Sequence, residues 1–209
     1  MRPRRTSGPA TCIRRVAFAA WVFAVASVPV NAQSLGLLKS AFERSTSMSL
    51  HNWRFDRVRV LDGRKTQERC KGISYRAAQC RLRFIDGMPP SAAELAHYEQ
   101  AVAQPVTVDL PNPDLLTLVN PNSARPAGQD AANARYVFAV PKAGVISVDR
   151  EEGFVTSIVV EQASDDNERA PLTIEWRFLE IDDAVVLTER YDRKAGARLT
   201  FSGFVPPYQ

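Results

Sequence analysis

Chemistry is sparsely provisioned in this 209-residue chain, which holds two histidines and three cysteines. A nucleophilic triad needs a base held beside its nucleophile. His51 falls at the start of a predicted strand and His97 on a predicted helix, and no Gly-x-Ser-x-Gly elbow presents a serine. Both histidines therefore read as structural. Paired carboxylates could do acid–base work. However, Glu151-Glu152, Asp165-Asp166 and Asp182-Asp183 all fall at predicted turns, where aspartate is favoured for its backbone hydrogen bonds. The glycines are scattered singly, so no loop cradles a phosphate, and no His-Glu-x-x-His or Asp-rich metal loop occurs. The expectation is a non-enzymatic protein with no catalytic residue, no metal and no cofactor.

Cys70 and Cys80 are the cysteines that fall beyond the leader described below. One disulfide between them is the simplest outcome, worth roughly 2–3 kcal/mol through its short loop. A redox or metal pair is the alternative. The spacing is wrong for Cys-x-x-Cys, and two histidines supply zinc poorly.

Two further sets of side chains could bind. Arg54, Arg57, Arg59, Arg81 and Arg83 could form a basic face on the first hairpins, suited to anionic headgroups or an acidic partner, or simply solvated. An apolar stripe is the stronger candidate: Trp53, Phe55, Leu82, Phe84, Phe138, Val140, Ile158, Val160, Ile174, Trp176, Phe178 and Phe201. These could line one concavity that accepts an acyl chain, each buried methylene contributing about 0.8 kcal/mol. The plainer reading is a filled core.

The compartment follows from the amino terminus. Residues 1–32 hold five arginines and no acid, with an apolar run from Val16 to Val30 and small residues before Gln33. That is the layout of a signal peptide cleaved after Ala32, directing the rest to the periplasm. The apolar run is short for a bilayer span, which needs roughly 20 residues. Cys12 precedes it, which is misplaced for lipoprotein acylation. Five of the 27 basic side chains belong to this leader, so the remainder sets 22 bases against 23 acids. Residues 33–209 then form a single domain with no electrostatic footprint for nucleic acid.

The elements that must position these groups are mostly strands. Residues 34–45 repeat Leu35, Leu38 and Phe42 at helical spacing. Trp53 and Phe55 share one phase and Val58 and Val60 the other, which predicts a bulge near Asp56-Arg57. Asp62-Gly63 and Asp86-Gly87 are tight-turn signals around strands at 65–70 and 80–85. Ser91 with Glu94 makes a capping box for a helix over 92–102. Five prolines punctuate 105–133, with one helical turn at 114–119 and a mobile stretch from Asn120 to Asn133. Six strands follow, at 135–140, 145–149, 154–162, 172–180, 184–191 and 197–204, with breaks too short for crossover helices. The sum is an α+β fold of about nine antiparallel strands.

Trp53-Arg-Phe, Asp62-Gly63, Glu68-Arg69, the run from Arg83 to Tyr98, Arg135-Tyr-Val-Phe, Gly144-Val-Ile-Ser-Val-Asp149, Gly153-Phe-Val-Thr-Ser-Ile158 and Phe201-Ser-Gly-Phe204 resemble a group of proteobacterial periplasmic proteins. That group is similar in layout to the outer-membrane lipoprotein carrier and sorting proteins. The resemblance implies a strongly curved half-barrel with one or two helices covering an apolar concave face. It implies a monomer that holds a lipid or an acylated protein. An envelope scaffold of the same fold, with a filled core and a protein partner, is the alternative expectation.

Overall fold

A computed structural model of the chain describes residues 32–46, 48–103, 106, 109–139, 142–162 and 172–207. Residues 1–31 of the predicted leader, the predicted turn at Asp165-Asp166 and Val140 lie outside the described residues. In chain order the elements are α1 (Ala32–Thr46), β1 (Arg54–Leu61), β2 (Arg64–Ser74), β3 (Ala77–Ile85), α2 (Ala92–Ala101), α3 (Leu115–Leu118), a 3-10 turn (Pro121–Ser123), β4 (Arg125–Gln129), β5 (Asn133–Phe138), β6 (Gly144–Asp149), β7 (Val155–Gln162), β8 (Leu172–Ile181), β9 (Ala184–Asp192) and β10 (Ala197–Val205).

The strands form one ten-stranded antiparallel sheet in the order β3-β2-β1-β10-β9-β8-β7-β6-β5-β4, not closed into a barrel. Every step but one joins strands that are neighbours in sequence. The exception is β1–β10, which brings the two ends of the strand series together. The turns carry their own signal. Asp62 and Gly63 have φ of 50° and 77°, and Asp86 and Gly87 have 50° and 83°. These left-handed pairs are what a two-residue hairpin requires.

Two sequence expectations are corrected here. The sheet has ten strands, because β4 pairs with β5 inside the stretch expected to be mobile. A strand containing Pro126 and Gly128 gives no alternating pattern. It survives at the sheet edge, where a proline lacks a ladder donor at little cost. The second correction concerns β1. Its ladder with β2 runs unbroken from Arg54↔Lys71 to Leu61↔Arg64, so no phase flip occurs at Asp56-Arg57. The irregularity lies against β10, where Gly203 adopts φ of 60°. Arg57 and Arg59 therefore share the face of Phe55.

The register defines that face across the whole sheet. Ile85, Thr66, Arg59, Leu199, Arg190, Trp176, Ile158, Ile146, Tyr136 and Pro126 are successive cross-strand partners, one from each strand. Cross-strand partners point the same way. From Trp176 to Tyr136 this line is buried and apolar, while Arg59 and Arg190 interrupt it. Leu38, Ala41 and Phe42 of α1 are buried in the same core, and the helix contacts β4, β6, β7 and β9. Arg44 ties its end to the Glu152 carbonyl and the Glu180 carboxylate.

The capping box of α2 is formed, with the Ser91 hydroxyl accepting from the Glu94 amide. Yet no residue of α2 is buried. Outside the sheet, buried apolar residues come from α1 and from the segment around α3, whose Leu110, Leu115 and Val119 are buried.

Candidate functional site

Ten of the twelve stripe residues are buried: Trp53, Phe55, Leu82, Phe138, Ile158, Val160, Ile174, Trp176, Phe178 and Phe201. Phe55 stacks edge-on against Phe201 at 5.9 Å, and Trp53 meets Phe204 at 6.4 Å. Phe84 leaves the group. The β2–β3 register shifts between Gln67 and Glu68, so Leu82 opposes Glu68 but Phe84 opposes Gln67, and Phe84 is 37% exposed. Cys70 and Cys80 are direct cross-strand partners, with Cα atoms 4.0 Å apart, and they form the disulfide.

The arginine set divides. Arg54, Arg81 and Arg83 are exposed, whereas Arg57 is fully buried and Arg59 faces the same side. Arg57 donates from Nε to Glu68 Oε2 at 2.6 Å and from a terminal nitrogen to Oε1 at 3.0 Å. Its other terminal nitrogen donates to the Asp109 carbonyl at 3.2 Å. The Tyr98 hydroxyl of α2 donates to Glu68 Oε1 at 2.7 Å. Arg190 donates to Asp109 Oδ1 at 3.0 Å, and Arg59 lies 3.6 Å from Oδ2. Burial alone would raise the Glu68 carboxyl, but the hydrogen bonds and charge of Arg57, with Tyr98 and Arg59, hold it below the ordinary range. Burial, and then the bond to and charge of Glu68, push the Tyr98 phenol well up.

Beside this network is a cavity of about 350 Å³. It lies between the strap 109–118 and strands β8, β9 and β10. Trp176, Leu187 and Leu199 line it from the sheet, Leu110 and Leu118 from the strap, and Arg76, Arg190, Asp109 and Asp114 add charge of both signs. Its size is that of a small-ligand site, apolar with a few polar groups. The strap is anchored at several points. Leu187 N donates to the Pro111 carbonyl at 2.7 Å, and Asn112 Nδ2 donates to the carbonyls of Met48 and Tyr75. Asp114 caps α3 and pairs with Arg76 at 2.7 Å. Asp109 holds φ of 54°, a conformation that aspartate tolerates better than most residues.

Of the described stripe residues, only Trp176 lines this cavity. Sequence reasoning missed the strap residues and Arg190. The usable signal was the proline-punctuated stretch that carries Asp109 and Asp114. His51 is exposed, with Nδ1 3.2 Å from the Ile73 carbonyl. Among the described residues no group of three metal-ligating side chains converges, and no helix is long and apolar enough to cross a membrane. No protein-family model, curated protein or solved structure matches the chain.

Proposed function

We propose that the protein is an exported, non-enzymatic binding protein that shelters the acyl chain of a lipid or acylated ligand. The observation that carries this reading is the cavity against Trp176, Leu187 and Leu199. In this reading the sheet bends into a half-barrel around its apolar face, with α1 and the strap lying in the hollow. Contacts of α1 with both β4 and β9 support that shape. The mechanism is partition. An apolar chain leaves water for a lined space, and each buried methylene contributes about 0.8 kcal/mol against the cost of ordering. Movement of the strap would govern entry and release. The Cys70–Cys80 disulfide supports an oxidising compartment such as the periplasm.

Native mass spectrometry of protein purified without detergent tests this, together with displacement of a fluorescent acyl probe. Thr117 is exposed and lines the cavity. Thr117→Trp should block uptake while the fold persists. Absence of any lipid adduct together with no probe uptake would overturn the proposal. It would favour the second reading, a scaffold with a filled core. The burial of nine stripe residues away from the cavity is the observation behind that reading.

A further inference from the structure

We infer that the cavity selects amphiphiles carrying a single negative charge, a carboxylate on an apolar chain. The inference rests on the acyl-binding reading above and names the headgroup that it would take.

A count of charge beside the cavity carries the inference. Arg57, Arg59 and Arg190 converge from β1 and β9 on two carboxylates, Glu68 and Asp109. Arg76 and Asp114 form a separate, balanced pair at the cavity. The connected cluster therefore holds one guanidinium more than it holds carboxylates. Glu68 spends both oxygens on Arg57 and Tyr98. Asp109 then serves Arg190 and shares Arg59 with Glu68, whose Oε2 lies 3.7 Å from Arg59 Nε, a buried nitrogen without a hydrogen-bond partner. Arg59 and Arg190, each more than a third exposed, carry the surplus beside the cavity; an unbalanced cation favours an anion, and a guanidinium takes a carboxylate in a fork.

Arg190 is the member of this cluster that lines the cavity. Its guanidinium lies over the Trp176 ring, 6.0 Å from the centroid. The ring thus orients the cation and offers an apolar wall next to it. Charge and grease stand side by side at the scale of one headgroup and its first methylenes. A phosphate monoester, with about two charges, would exceed the surplus. An ammonium headgroup would meet the same surplus as repulsion.

In this arrangement Asp109 is an internal competitor. It occupies the atom on Arg190 that a ligand carboxylate would take, and it belongs to the strap that bounds the cavity. Entry of the ligand exchanges one carboxylate for another and frees the strap on that side.

The experiment compares dodecanoate, methyl dodecanoate and dodecylammonium by isothermal titration calorimetry on the folded wild-type chain. Dodecanoate should bind about tenfold or more tightly than the ester, the scale of one charge-assisted pair. Arg190→Gln should bring the two within about twofold, and Arg190→Lys should restore part of the preference. Asp109→Asn keeps the left-handed backbone accessible and should tighten dodecanoate severalfold while leaving the ester unchanged. That variant decides the matter even if Arg190→Gln fails to fold. Equal binding of acid and ester overturns the charge inference and leaves the acyl cavity standing. Preference for the ammonium overturns it as well. Binding of none of the three overturns both readings.

Discussion

Arg57 and Glu68 face each other across the β1–β2 ladder, joined by two hydrogen bonds of 2.6 and 3.0 Å, with only 0% and 4% of their surfaces exposed. A buried pair is costly to break because the survivor keeps its charge without a partner. Arg57→Gln should therefore lower stability by about 3–5 kcal/mol in urea unfolding. The double change Arg57→Met with Glu68→Leu removes both charges and should recover most of that loss. A double variant as unstable as the single one would show that the pair matters for more than mutual neutralisation.

The same pair sets an acid limit. The Glu68 carboxyl is held below its unfolded value. The stability it contributes is then fully present above the unfolded value, near 4.3, and is lost as pH falls through the folded value. Thermal melts from pH 6 down to pH 3 should show this loss. Glu68→Gln should start lower and flatten the slope. An unchanged slope in that variant would assign the acid transition to other carboxylates.

Tyr98 ties α2 to the sheet. No residue of the helix is buried, so the hydroxyl bond to Glu68 and the exposed Arg64–Glu94 pair are its main polar anchors. Tyr98→Phe removes a bond to a charged acceptor, roughly 1.5–3 kcal/mol. Amide exchange over 92–101 should rise well before exchange in β7 and β8. Uniform acceleration across both would mean that the helix and sheet open together.

Reducing Cys70–Cys80 should cost roughly 2–3 kcal/mol, since the bridge closes a short loop. The paired strands β2 and β3 persist in this prediction, so the far-ultraviolet spectrum should hardly change. Denaturant midpoints with and without reductant check it. Loss of the sheet signal on reduction would give the bridge a larger role.

Gly72 is a contact point rather than a turn. A Cβ built there would lie 1.7 Å from the Leu50 carbonyl oxygen, where residues 50–53 cross β2. The Gly72 amide donates to the Trp53 carbonyl at 2.8 Å, and the Asn52 amide donates to the Gly72 carbonyl at 3.0 Å. Gly72→Ala must push the crossing away and loosen both bonds, for a loss of at least about 2 kcal/mol in chemical denaturation. Gly36, with nothing within 4 Å of such a Cβ, is the tolerant control.

Local chemistry determined much of this architecture. Asp62-Gly63 and Asp86-Gly87 define turns because only left-handed residues close a two-residue hairpin, and that holds whatever the rest of the chain does. The Ser91–Glu94 capping box and the alternation of Leu172 to Phe178 act over a few residues, so α2 and β8 were legible directly. The strap, the direction of Arg57 and Arg59, and the strand at Arg125–Gln129 were not. An arginine points into a sheet only if an acid waits there, and the acids for Arg57 and Arg190 stand 11 and 81 positions away. A proline-bearing edge strand has no periodicity of its own and exists because β5 offers it a ladder. The cavity is likewise the meeting of a connection with three strands that no short window of sequence contains. Burial and charge pairing at long range, absent from any local pattern, decided where the site lies.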